Sequence, residues 1–199
     1  MLDGFYVAHF EKVSQEQFRK DMYAIIKNDI ENYKIIDNYP NISKNSIDDS
    51  FDTFCNEIYQ KIKLPSRATY ESAGYDFYTP FAFDLGITKS IIIPTGIRCK
   101  IMQGYSLDIY PKSGLGFKNN LKLPNTIGII DSDYYDSSNE GHIMVKLNYQ
   151  GFLPLADCSI HFNEGKSFVQ GIFHEVFYAS NDVDNTELQK RDGGFGSTN

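Results

Sequence analysis

From Leu64 onward the chain is cut into short segments rich in Ile, Val, Phe and Tyr, each broken by Gly, Pro, Asn or Asp before a long helix could form. These runs fall at residues 77–83, 90–94, 97–102, 106–110, 127–130, 142–149 and 168–177. Strands this short, separated by turn residues, bury their apolar faces by stacking two sheets or by closing one upon itself. The expectation is a mainly β body, a sandwich or jelly roll. Abundant aromatics, 14 Tyr and 15 Phe with no Trp, favour strands in the same way.

Upstream the period changes. Residues 5–13 look strand-like, and Ser14 with Gln17 three positions on has the form of a capping box, which starts a helix at Gln15. Phe18, Met22, Ile25, Ile26, Ile30 and Tyr33 then recur at helical spacing, and Phe51, Phe54, Cys55, Ile58 and Ile62 repeat the pattern before Pro65. The chain therefore divides into a strand plus two helices (1–63), a β body (64–185) and a glycine-rich C-terminal arm (186–199). Each apolar stripe must bury itself on the other helix, on the β body or on another chain. Packing alone explains most such stripes, but residues 14–62 are also a possible surface for a protein partner.

At 199 residues, with 41% of them hydrophobic, the chain can fill one core with a small appendage, not two full domains. Cys55, Cys99 and Cys158 are odd in number and far apart, so neither a disulfide framework nor a thiolate metal site is expected, and a reducing cytoplasm fits best. No segment has the form of a secretory leader, and the Ile91-Ile92-Ile93 run is too short to span a bilayer, so a soluble, cytoplasmic protein is expected. The net charge of -7 argues against long nucleic acid as a partner. It leaves room for a small polyphosphate held by local donors and a divalent cation.

The stretch Asn125-Thr126-Ile127-Gly128-Ile129-Ile130-Asp131-Ser132-Asp133-Tyr134 concentrates the chemistry. Its apolar middle reads as a short strand and its acidic end as carboxylates delivered to a rim, although Asp-Ser-Asp after a strand also suits a plain solvated turn. Gly128 inside a strand marks a place where a backbone or a flat ligand comes close. Four further segments accompany it: Ala73-Gly74-Tyr75-Asp76, Tyr110-Pro111-Lys112-Ser113-Gly114-Leu115-Gly116, residues 165–170, and Arg191-Asp192-Gly193-Gly194-Phe195-Gly196-Ser197-Thr198. Together, in this order and spacing, they resemble the five motifs of the trimeric dUTPases over about residues 64–198.

That resemblance implies a dUTPase-like β jelly roll with an N-terminal α-helical elaboration, assembled as a homotrimer with its sites between subunits. It implies cleavage of dUTP to dUMP and pyrophosphate with Mg2+ bridging the phosphates. Asp131 would orient and deprotonate the attacking water while meeting the sugar 3′-hydroxyl, and Tyr134 would pack under the deoxyribose. Asn125 and the backbone through Gly128 to Ile130 would read the uracil edge. Ser113 and Gly114 would cradle phosphate, Gln170 would face it, and Asp76 would hold magnesium through water. In the arm, Phe195 would stack on the base and Arg191, or Lys190 in a shifted register, would reach the γ-phosphate beside Gly196, Ser197 and Thr198.

The sequence also departs from that pattern. Lys112 stands where the family commonly has Arg, which points to looser phosphate or interface contacts, and Lys166-Ser167-Phe168-Val169 replaces Asp-Arg-Ile-Ala. Tyr135 follows where many members have Arg-Gly, with an insertion over residues 136–140. The four histidines lack metal-ligand spacing and are expected to be structural or exposed. Two alternatives stay open. One is a nucleotide-sensing interaction protein with weak dUTP hydrolysis. The other is dCTP deaminase, disfavoured because Lys146 occupies a position where that enzyme needs a proton-shuttling glutamate.

Overall fold

A computed structural model of the chain describes residues 6–33, 47–151 and 159–182. The β body carries strands β1 (Ala8–Lys12), β2 (Ser66–Arg67), β3 (Tyr75–Tyr78), β4 (Phe83–Gly86), β5 (Ser90–Pro94) and β6 (Ile97–Ile101). It continues with β7 (Tyr105–Pro111), β8 (Leu121–Lys122), β9 (Gly128–Ile130), β10 (Met144–Tyr149), β11 (Ser159–Phe162) and β12 (Ser167–Glu175). One sheet runs β2-β3-β12-β7-β9 and a second runs β5-β10-β8, with the ladders β1-β6 and β11-β4 beside them. Every pairing is antiparallel. The fold is mainly β, as the strand pattern leads one to expect.

Alternation fixes which face of each strand is buried. Leu107 and Ile109 of β7, Ile91 and Ile93 of β5, and Val145 and Leu147 of β10 turn into one hydrophobic cluster with Phe77, Phe83, Leu85 and Phe162. In β12, Phe168 and Val169 are both buried although they are neighbours, because the register against β3 shifts between Ser167 and Val169. A bulge lets consecutive side chains face the same way. It falls within the Lys166-Ser167-Phe168-Val169 segment that departs from the family pattern.

The expected single run over 77–83 is two strands. Pro80 has no N–H for a ladder, and Thr79 closes the break instead: its amide donates to the Lys166 carbonyl at 2.9 Å and its hydroxyl to the Asn163 carbonyl at 2.7 Å.

Helix α1 spans Gln15–Tyr33 and α2 spans Ile47–Lys61. Phe18, Met22 and Ile26 of α1 and Phe51, Phe54, Cys55 and Ile58 of α2 are buried, and α1 packs on α2, β4 and β5. The described part of each apolar stripe is thus satisfied within the chain, in the same cluster as the strands. Gly96, at φ +72°, is where α1 meets the body, since a side chain there would run into Ile62 and Phe18. Among the described residues no helix is long and apolar enough to cross a membrane.

The expected capping box forms only by half. The Gln17 amide donates to Ser14 Oγ at 3.1 Å, but the Gln17 side chain turns to Asp21 at 2.8 Å. The reciprocal partner of the Ser14 amide is Glu140 Oε2, at 2.7 Å and from far along the chain.

Candidate active site

Strand β9 is the outer strand of the five-stranded sheet, and no strand among the described residues pairs with its other edge. On the inner edge Gly128, Ile129 and Ile130 pair with Ile109, Asp108 and Leu107. The outer edge therefore offers a row of backbone donors and acceptors to whatever lies beside it. The turn leading in is strained: Thr126, a β-branched residue, sits at φ +68°, and the Ile127 amide donates to the Asn125 carbonyl at 2.7 Å. Strain of this kind concentrates where a backbone must present a fixed pattern of polar groups.

In the structure β8 belongs to the β10 sheet and β9 to the β7 sheet, so the turn crosses between sheets. A Cβ placed on Gly128 would lie 3.4 Å from Ile109 Cβ and 3.9 Å from Asn125 Nδ2, ordinary contact distances. The protomer itself does not need a glycine here.

A second group gathers across β3, β12 and β7, where Asp76, Gln170 and Tyr110 form one row. Asp76 is 8% exposed, and both its carboxylate oxygens accept from Lys112 Nζ at 2.7 Å. The expected loose phosphate or interface role of Lys112 is therefore not what the protomer shows: its charge is committed to a neighbouring carboxylate, a strong charge-assisted pair. The Lys112 backbone is anchored as well, its amide donating to the Phe168 carbonyl at 3.2 Å beside the β12 bulge. Gln170 packs over Gly74, where any Cβ would meet its Oε1 at 2.7 Å.

After Lys112 the chain enters a short helix, α3 (Ser113–Asn119), where a bare reading of Lys-Ser-Gly gives only a turn. Ser113 and Gly114 stand exposed in its first turn, and nothing lies within 4 Å of a Cβ added at Gly114. Among the described residues no group of three or more His, Cys, Asp or Glu could hold a metal directly. The donor set fits a hydrated magnesium met through water by Asp76, because that ion keeps much of its hydration and shares its remaining positions with phosphate.

Asp131 ends β9 and is the N-terminal residue of a 3-10 turn over Ser132–Asp136, exposed and with no capping bond from its own side chain. Tyr134 is 5% exposed; its hydroxyl donates to the His142 carbonyl at 2.9 Å and accepts from Asn139 at 2.9 Å. Asp131 leaves the sheet one step past the Leu107–Ile130 pair, whereas Lys112 follows the other end of β7. Those ends are separated by about 17 Å at 3.3 Å per residue. Asp131 and the Asp76–Lys112 pair therefore stand apart within one protomer.

The family model for dUTPase matches residues 60–199. The chain belongs to the dUTPase family. Similar curated dUTPases include that of Lactococcus lactis, 35% identical over 138 residues covering 69% of this chain and 88% of that protein. That of Dinoroseobacter shibae is 37% identical over 148 residues, covering 70% of this chain and 89% of that protein. Among solved structures, the dUTPase of Streptococcus mutans aligns with a TM-score of 0.52 at 28% identity, covering 59% of this chain and 89% of that one.

Within this dUTPase frame, four motifs lie in described residues. The fifth, with Arg191, Phe195, Gly196, Ser197 and Thr198, lies outside them, as do Lys190 and Cys158. His142 is fully buried, while His9, His161 and His174 are exposed. What the sequence reading missed is the cluster packed around the turn that follows Asp131. Glu140 accepts from the Ser14 amide and hydroxyl, and the Tyr135 hydroxyl donates to Glu11. Arg98 lies 3.6 Å over the Tyr135 ring and donates to the Tyr135 carbonyl at 3.0 Å. Burial pushes the Glu140 pKa up, but the Ser14 hydrogen bonds and the nearby Arg98 and His142 outweigh it and hold it below the ordinary carboxylate value. The one signal available in sequence was the insertion over residues 136–140, which says that the rim is altered but not what it touches.

Proposed function

We propose that the protein hydrolyses dUTP to dUMP and pyrophosphate, with residues 64–185 as the catalytic body, 1–63 as an elaboration and 186–199 as a closing arm. The observation that carries this reading is that Asp131 directly follows a strand whose outer edge pairs with no strand among the described residues. A base can lie along β9 with its polar edge matched by main-chain groups, and a carboxylate waits where the strand stops. Asn125 and the Gly128 to Ile130 backbone read uracil, since a mismatched pyrimidine would leave buried donors and acceptors unpaired. Tyr134, its hydroxyl tied down, presents a fixed ring under the deoxyribose.

The reaction needs one water placed in line with the α-phosphorus. Asp131 accepts a proton from that water, the new P–O bond forms, and the bond to the bridging oxygen of the pyrophosphate leaving group breaks. Ser113, Gly114 and Gln170 hold phosphate oxygens in place. Magnesium bound to the triphosphate supplies charge neutralisation, and Asp76 would meet it through water while Lys112 keeps that carboxylate oriented. The arm, through Arg191, Phe195, Gly196, Ser197 and Thr198, closes over the nucleotide and excludes bulk water.

The separation of Asp131 from the Asp76–Lys112 pair supports a homotrimer in which Asp131 of one protomer faces Asp76, Ser113 and Gln170 of the next. Lys146 leaves deamination of dCTP without its carboxylate. Incubation with dUTP and magnesium should release pyrophosphate, and Asp131→Asn should slow turnover by about 10²–10⁴-fold, the usual worth of a positioned base. Equal release by the two proteins would reject the assignment.

A further inference from the structure

The family match begins at residue 60, yet β1 and the start of α1 touch the segment that follows Tyr134. Ser14 is the hub. Its hydroxyl accepts from the Gln17 amide at 3.1 Å, capping α1, and donates to Glu140 Oε1 at 2.6 Å, while its amide donates to Glu140 Oε2 at 2.7 Å. Glu140 itself is at φ +58° and is followed by Gly141 at φ +67°. A left-handed backbone at a long-chain residue is unfavourable and persists only where its surroundings enforce it. Gly141 has no alternative, because a Cβ there would lie 2.7 Å from Tyr135 Cα.

The rest of the segment is fastened to the same upstream elements. Tyr135 reaches Glu11 of β1 and is covered by Arg98 of β6, which also approaches Glu11 at 3.7 Å and Glu140 at 3.9 Å. Two residues past Glu140, the Gly96 amide donates to His142 Nε2 at 2.8 Å, which makes that nitrogen an acceptor and places the ring proton on Nδ1, 2.6 Å from Asp21 of α1. The His142 carbonyl in turn receives the Tyr134 hydroxyl. The turn that starts at Asp131 is thus closed by Tyr134 N–H to Asp131 and Ser137 N–H to Tyr134, both at 3.1 Å, and gripped from behind by residues 11–21.

The geometry points to Glu140 and Ser14 as positioning residues that set the aim of Asp131, with Ser14 reaching in from upstream of the family match. Of the two, Ser14 lies outside the family match and Glu140 within it, so the N-terminal elaboration acts on catalysis within its own chain. This rests on Asp131 being the base of the proposed reaction. A positioning role lowers kcat without touching substrate affinity, whereas simple loss of packing moves stability and KM together.

The test is steady-state dUTP hydrolysis by the full chain and by Ser14→Ala, Glu140→Ala, Glu140→Gln and Ser14→Ala/Glu140→Ala, with amide exchange read on the same proteins. Each single alanine should lower kcat about tenfold with KM within about twofold, and the double should be no slower than either, because both break one link. Glu140→Gln, whose amide oxygen still accepts from Ser14, should restore kcat to within about threefold of wild type. Exchange at the Tyr134 and Ser137 amides should rise about tenfold in the alanine variants while β7 and β12 amides hold. Unchanged kcat in Glu140→Ala, or unchanged exchange at Tyr134 and Ser137, overturns the inference. Exchange needs no turnover, so a wild-type protein inactive on dUTP would sink the proposed reaction while leaving the grip itself measured.

Discussion

At the scale of single residues, Gly128 separates what the fold needs from what the ligand needs. An added methyl would sit at ordinary contact distance, 3.4 Å from Ile109 Cβ, so the strand can accept alanine. Replacing glycine at an unstrained position even tends to stabilise, by about 0.4–1 kcal/mol, through the unfolded chain. A base lying against that strand would not tolerate the methyl. Gly128→Ala is therefore expected to keep or raise the melting temperature and to weaken binding of a non-hydrolysable dUTP analogue at least tenfold by calorimetric titration. Undiminished affinity would show that nothing flat rests on β9. Asp131, Ser113 and Gln170 were nominated from the sequence alone, because the resemblance rests on residue identity. The commitment of Lys112 to Asp76 was not, because it depends on β7 and β3 standing one strand apart across β12, a long-range fact that local spacing does not encode.

At the scale of elements, α1 and its stripe could be read directly: the period of Phe18, Met22 and Ile26 places it, and the expected span Gln15–Tyr33 is the observed one. Its cap could be read only as far as Ser14 to Gln17, because the other half is supplied by Glu140 across the fold. Pro80 was a visible break that outweighs the apolar run around it, and residues 77–83 should have been divided there.

The long-range cap has a pH signature. Glu140 titrates below its ordinary value when folded, so its contribution to stability is fully present above the unfolded value, about 4.3, and is lost as pH falls through the folded one. Wild type should accordingly lose more melting temperature than Glu140→Gln between about pH 5 and pH 3, in thermal scans followed by circular dichroism. Parallel curves for the two proteins would mean that the carboxylate gains nothing from Ser14 and Arg98.

At the scale of the whole molecule, the decisive feature is that Asp131 and Lys112 follow opposite ends of the β7–β9 ladder. Sequence gives their order but not their separation, which follows only once Leu107 is paired with Ile130 and Lys112 is seen beyond the far end. If neighbouring protomers complete each other, catalysis can be rescued between two dead chains. Asp131→Asn and Asp76→Asn are both isosteric, the second still accepting a hydrogen bond from Lys112, so each should fold and each should lose turnover, Asp131→Asn by at least about a hundredfold. Co-expressed with distinguishable tags and purified as mixed assemblies, they should regain about one quarter of wild-type activity. An intact site needs Asp131 from one kind of chain and Asp76 from the other, and random mixing supplies that pairing about one time in four. A site contained in one protomer would regain nothing, because every chain carries a lesion. Activity of the mixture at the level of the separate variants would therefore place Asp131 and Asp76 in the same protomer's site or in different chemistry altogether, and the shared-cleft reading would fall.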